Sequence, residues 1–374
     1  MGKNTKKAMT FMLSAAFILG TCLYSFAETP SSTAASATAV TAQNKENDNL
    51  MKSNHLQTYN ATGNDAMLIR AWYDENGKLI TCRVSQNNSE LTEEDLDLTN
   101  AAYSKIYRFS SFDELSPLNT PISAPVKAIN VYKNGSSASD AKQVTVNALG
   151  DSITYGVGSG STLESFDYKP YHFCWGDDYK ITANNFGQSG SHVAAYDTPK
   201  GYQPNNSTPF VKRVAAMSNN SPDIVTIMGG VNDCQSGYYT QEEFGSLTDK
   251  AQKDINTFCG ALRTMLEELQ TKYPNAVIVY LTPLKYSGKA DGLGAPWENT
   301  TDLPNYINAI KIICDDYHVP VIDCYAPDTL HFCDNTSDVL IYGDRLHFGR
   351  SAHKFLSAYI MEQMEAMHII NIID

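Results

Sequence analysis

The hydrophobic rhythm of the chain changes near Gln143. From there on, short apolar runs rich in β-branched residues alternate with longer stretches whose apolar residues return every three or four positions. The short runs are VTVNAL (144–149), NNF (184–186), DIVTIM (223–228), AVIVYLT (276–282) and VPVIDCY (319–325). Helical spacing marks LTDKAQKDINTFCGALRTMLEELQTKY (247–273), LPNYINAIKIICDDYH (303–318) and SAHKFLSAYIMEQMEAMHII (351–370). This alternation predicts an α/β domain over 143–374, a parallel sheet with helices on both faces. In such sheets, chemistry gathers beyond the carboxyl ends of the strands.

The pattern ahead of that domain is different. In AMLIRAWYDENGKLITCRVS (66–85) two apolar-rich runs flank Glu75-Asn76-Gly77, and Asn-Gly is a strong hairpin signal. YSKIYRF (103–109) continues the β-like pattern until SSFDELSPLNTPISAP interrupts it. Residues 57–142 therefore form a small β-rich region, either an independent module or an extra layer on the main domain. Residues 28–56 hold hardly any large apolar side chain and read as a disordered tether. Residues 1–27 combine Lys3, Lys6 and Lys7, an apolar run from Ala8 to Tyr24, and Ser25-Phe26-Ala27. That is the build of a secretory signal, which makes the mature protein extracellular. Lipid anchoring at Cys22 is the alternative, although Thr21 before it is a poor match. No later segment is long and apolar enough to hold the chain in a membrane.

Charge narrows the choice of partners. The full chain has 28 basic and 41 acidic residues, and loss of the leader removes three lysines, leaving 25 against 41 and a net charge of −16. Such a surface repels phosphate backbones, which argues against nucleic acid. Seven cysteines would remain, scattered and odd in number, with neither a disulfide framework nor zinc spacing. Most read as small buried apolar residues, with Cys324 and Cys333 as the candidate bridge.

The candidate chemistry begins where the first run of the α/β domain stops, in NALGDSITYG (147–156). A serine hydroxyl needs a base, a group to orient that base, and donors for an oxyanion. YGDRLHFGRSAH (342–353) offers Asp344 three residues before His347, close enough to hold the imidazole in a loop turn. His353 falls in the helical pattern and reads as packing or capping. NNFGQSGS (184–191) and IMGGVNDC (227–234) bring glycines and Asn232 to two more strand ends. Each fragment alone is an ordinary turn, but four in order at strand ends are hard to explain as turns.

With those blocks in view, the chain from about Gln143 onward resembles the SGNH (GDSL-type) hydrolases. The first block is matched by Gly150-Asp151-Ser152, the second by Asn185-Phe186-Gly187-Gln188-Ser189-Gly190, the third by Gly230-Val231-Asn232-Asp233, and the last by Asp344 and His347. The resemblance implies a three-layer α/β/α, flavodoxin-like fold and a serine esterase without metal or organic cofactor. It implies a catalytic triad of Ser152, His347 and Asp344. The oxyanion hole would comprise the N–H groups of Ser152 and Gly190 and the Asn232 amide. Asp151 and Asp233 take structural roles, and His192 reads as a partly exposed loop residue. Tyr238, Tyr239 and Trp297 are candidates for stacking on a sugar, against the alternative that they pack on their own loops. The expected substrate is an ester, an acetylated polysaccharide first, because export, tether and β region suit an extracellular polymer. A lipase-type acylhydrolase and a non-catalytic carbohydrate-binding protein are the alternatives. The α/β-hydrolase pattern G-x-S-x-G fails at Ser191, and the Asp-x-His pairs of metallophosphatases are absent from the sequence.

Overall fold

The computed structural model describes residues 67–85, 91–109, 121–139, 141–159, 169–196, 207–234, 241–286, 303–327, 330 and 346–374. All of them belong to one compact unit, Glu46–Asp374. The leader, the tether and Cys22 lie outside the described residues, as do Cys333, Asp344, Tyr238, Tyr239 and Trp297.

Five parallel strands carry the main sheet: β6 (Val144–Gly150), β7 (Ile181–Gly187), β8 (Ile224–Met228), β9 (Val277–Leu281) and β10 (Val321–Ile322). Their order is β10-β9-β8-β6-β7. Alternate residues of each strand serve opposite cores. Leu149, Val225, Ile227, Ile278 and Tyr280 pack on one face with helices α6 (Phe258–Lys272) and α7 (Leu303–Asp316). Val144, Val146, Ile224, Met228, Val279 and Leu281 pack on the other with α2 (Tyr171–Asp178) and α8 (Arg350–Ala366). Period-two alternation with both faces apolar is what a doubly covered parallel sheet requires.

The chain leaves β6 toward one face, through α1 (Ser152–Tyr155) and α2. It enters β7, passes through α3 (Phe210–Arg213) on the other face to β8, and continues by α6 on that same face. The strand order reverses between β6 and β8, the switch point beyond whose carboxyl ends such sheets bind their ligands. Two further short helices, α4 (Val231–Cys234) and α5 (Gln241–Phe244), follow β8.

The N-terminal strands β1 (Met67–Tyr73), β2 (Leu79–Ser85), β3 (Tyr103–Phe109) and β4 (Ile122–Ala124) form an antiparallel sheet of order β2-β1-β3-β4. The hairpin turns at Gly77, whose φ of 77° places it in the left-handed region, and Asp74 accepts from the N–H groups of Asn76 and Lys78. β1 is buried along its length, and its Arg70 donates to Leu91 O, Glu93 and Pro125 O while lying 4.8 Å from the Trp72 ring. This sheet meets the end of α7: Lys105 Nζ lies 2.9 Å from both Asp315 carboxylate oxygens, Ser123 donates to Asp315, and Tyr103 stacks on His318. β5 (Ile129–Tyr132) pairs in parallel with β11 (Ile370–Ile373), and Val131 and Ile370 join the α8-side core.

Three expectations change. The helix read over 247–273 begins only at Phe258, because Thr257 caps it by accepting from Gly260 N–H, and Arg263 occupies the carbonyls of Ser246 and Leu247. The helix read through Ile370 ends at Ala366, where His368 turns to φ 52° and Ile369 N–H closes on Met364 O. Cys324 carries a free, buried thiol and makes no bridge among the described residues, and Cys82, Cys174, Cys259 and Cys314 are free as well. Among the described residues no helix is long and apolar enough to cross a membrane, and no group of three or more His, Cys, Asp or Glu could hold a metal ion.

Candidate active site

Ser152 stands two residues beyond Gly150, the end of β6, as the first residue of α1, with Asp151 as the cap between them. Asp151 Oδ1 accepts from Ile153 N–H at 3.0 Å, which stops the strand and starts the helix in one residue. Tight packing explains the glycines: a Cβ on Gly187 would lie 2.2 Å from Tyr155 N, so β7 can end beside α1 only without a side chain there. Ser152 is 3 % exposed. His347, from the segment before α8, places Nε2 2.7 Å from Ser152 Oγ, although the two are 195 positions apart. That is the separation at which an imidazole can take a hydroxyl proton.

The ends of β7 and β8 close around this pair. Gly190 adopts φ 72°, which a side chain would strain, and the next residue, Ser191, is held from several directions. Its N–H and hydroxyl both donate to Gln188 O, at 3.3 and 2.7 Å, and its carbonyl accepts from Asn232 Nδ2 at 3.0 Å. Asp233 accepts from the N–H groups of Val193 and Ala194 at 2.8 and 3.1 Å and from the Tyr196 hydroxyl at 3.2 Å. Burial raises the Asp233 carboxyl above its usual range, opposed by nearby His192 and by these donors. Burial likewise pushes Asp151 up to about 6, against the Ile153 N–H and nearby His347 and Arg213.

A scan against known families finds a match over residues 148–355, to the GDSL-like Lipase/Acylhydrolase family. The chain belongs to this family. It is therefore a serine ester hydrolase by class, and its parallel sheet with flanking helices is the hydrolase body, preceded by a separate antiparallel β region. Among solved structures, it is similar to a protein from Lactobacillus plantarum, at 21% identity and a TM-score of 0.43, over 60% of this chain and 98% of that one. A possible lipase from Chitinophaga pinensis gives 16% identity and a TM-score of 0.44 over 61% and 100%. A Corynascus thermopiles carbohydrate esterase family 2 enzyme with its carbohydrate binding domain gives 16% and 0.40 over 82% and 91%. No curated protein matches the chain.

The remaining candidates of this GDSL-like hydrolase fall as follows. Ser152, Gly190, Asn232 and His347 come from four separate segments at the same end of the sheet. His192 is buried, 1 % exposed and edge-on to Tyr196, which corrects the expectation of a partly exposed loop residue. Burial lowers its pKa, opposed by Asp233. His353 is fully buried between Tyr171 and Phe348, and burial, with His347 adding to it, pulls its pKa down to about 3. The sequence reading passed over Arg213, a buried arginine in α3 that reaches both Gly150 O and Ser191 Oγ. Its only sequence signal is a cation among the apolar residues of FVKRVAAM.

Proposed function

We propose that this GDSL-like hydrolase is an exported esterase that removes acetyl groups from a polysaccharide, with Ser152 as nucleophile. The observation that carries the reading is the 2.7 Å approach of His347 Nε2 to Ser152 Oγ at the carboxyl end of β6. His347 takes the Ser152 proton as the oxygen attacks the ester carbonyl, and Asp344, three residues earlier, steadies the imidazole. The oxyanion is received by the N–H groups of Ser152 and Gly190 and by the Asn232 amide. One amide hydrogen of Asn232 anchored on Ser191 O fixes the plane in which the other is offered. His347 then protonates the leaving sugar hydroxyl, and water, activated by the same imidazole, releases acetate from Ser152.

The polymer substrate rests on the exported leader, the acidic chain and the β-rich region ahead of the hydrolase body. Tyr238, Tyr239 and Trp297 are the aromatic side chains proposed to meet the sugar. Release of acetate from acetylated xylan, beside hydrolysis of p-nitrophenyl acetate, butyrate and octanoate, tests the proposal, with Ser152→Ala as control. Serine-dependent activity strongest on acetate and on the polymer is expected. A preference for octanoate would transfer the reading to a lipase, and activity surviving Ser152→Ala would overturn the nucleophile.

A further inference from the structure

The end of β6 and the loop after β7 are tied together by one side chain that none of the family blocks contains, and Asn232, after β8, is hydrogen-bonded to that same loop. Arg213 Nη2 donates to Gly150 O at 2.7 Å, two residues before Ser152. The same carbonyl receives Gln188 N–H at 3.0 Å. Arg213 Nη1 donates to Ser191 Oγ at 3.2 Å, one residue after Gly190. Ser191 O is in turn the acceptor of the Asn232 amide. The guanidinium thus bridges the nucleophile turn to the loop on which both other oxyanion donors depend.

Its own position is fixed from below. Arg213 Cζ lies 4.8 Å from the Phe210 ring centroid, and that ring packs so closely on Gly229 that a Cβ there would sit 2.4 Å from Phe210 Cε2. Arg213 makes no ion pair among the described residues and is 4 % exposed, so both fork hydrogen bonds are sheltered from water. A buried cation without a paired carboxylate is costly and persists where its donors are needed. Burial lowers it to about 10, with Asp151 opposing, and it stays protonated at neutral pH.

We infer that Arg213 is a positioning residue for the ester hydrolysis: its two-donor fork sets the spacing between the Ser152 turn and the Gly190–Ser191 loop, and so the geometry of the oxyanion hole. The inference rests on the reading of Ser152 as nucleophile. Only a planar guanidinium reaches two acceptors with parallel donors, so lysine is not an equivalent replacement.

The test is steady-state kinetics on p-nitrophenyl acetate for Arg213→Met, Arg213→Lys and Ser191→Ala, with thermal melts and active-site titration to count folded enzyme. For Arg213→Met, kcat per folded site is expected to fall about 10²-fold with KM within about twofold, as for an ångström-scale misplacement of catalytic groups. Arg213→Lys should recover only part of this, leaving kcat about tenfold down. The double variant with Ser191→Ala should lose little more than Arg213→Met alone, because both act on one contact. A lower melting temperature with unchanged kcat per folded site would make Arg213 merely structural and overturn the inference. Should Arg213→Met not fold, Arg213→Lys decides, and wild-type kcat in that variant overturns the fork. Turnover in Ser152→Ala would remove the reading underneath, whereas turnover that requires Ser152 but not Arg213 would remove this inference alone.

Discussion

At the scale of single residues, the site depends on a few atoms whose neighbours are chosen for backbone contacts. Asn232→Ala removes both the proposed oxyanion donor and the anchor on Ser191 O, so a loss of about 10²–10³ in kcat is expected from steady-state assays. His172 supplies a separate prediction. It is fully buried, neither ring nitrogen has a hydrogen-bond partner among the described residues, and burial pulls it from 6.5 down to about 3. The unfolded chain therefore binds a proton that the fold excludes between those values. Stability present above about pH 6.5 is lost as pH falls toward 3, by up to about 1.4 kcal/mol per pH unit. Asp151 acts in the opposite sense between 3.8 and about 6, which a difference measurement cancels. His172→Phe should thus gain on the wild type as pH falls, and denaturant melts giving a constant gap from pH 7 to 4 would count against this. The 2.7 Å pair of Ser152 and His347 was legible because both residues sit in short sequence blocks. Arg213 was not, because its role comes from acceptors 22 and 63 positions away.

At the scale of elements, the strands were readable because parallel strands buried on both faces must be apolar throughout. β10 is shorter than its apolar run because beyond Ile322 the backbone turns to side chains: Cys324 N–H donates to Thr282 Oγ1, and Tyr325 and Ala326 N–H groups donate to Asp323. β11 was invisible because Met367-His368-Ile369-Ile370 continues the helical spacing of α8 and its partner strand is 241 residues away. The junction of β7 with α1 gives a sharp test. Gly187→Ala would drive a methyl into the backbone of Tyr155 and Thr154, which must shift, carrying Ser152 with them. A destabilisation of about 1–3 kcal/mol with a disproportionate loss of kcat is expected. A variant that melts lower yet keeps full turnover would show that α1 yields without moving the serine.

Across the whole molecule, the antiparallel sheet and the hydrolase body share the Asp315 and His318 contacts, and β5 lies within the α8-side core. Deleting residues 28–142 takes β5 away from β11, whereas a cut ending at 127 leaves that pair intact. The shorter deletion should keep turnover of p-nitrophenyl acetate, and the longer one should melt several degrees lower or fail to fold. Equal stability of the two truncations would show that β5 adds nothing to the core. The same pairing also governs the order of assembly. β5 is among the first parts of this core to be synthesised, yet its partner arrives only once the chain has been made through Ile373. Until then Val131 can pack on Val144, Trp175 and Ile181, but β5 lacks its parallel neighbour, so this edge of the core is completed late in synthesis. The last strand of the fold is therefore also the last tie on one of its earliest.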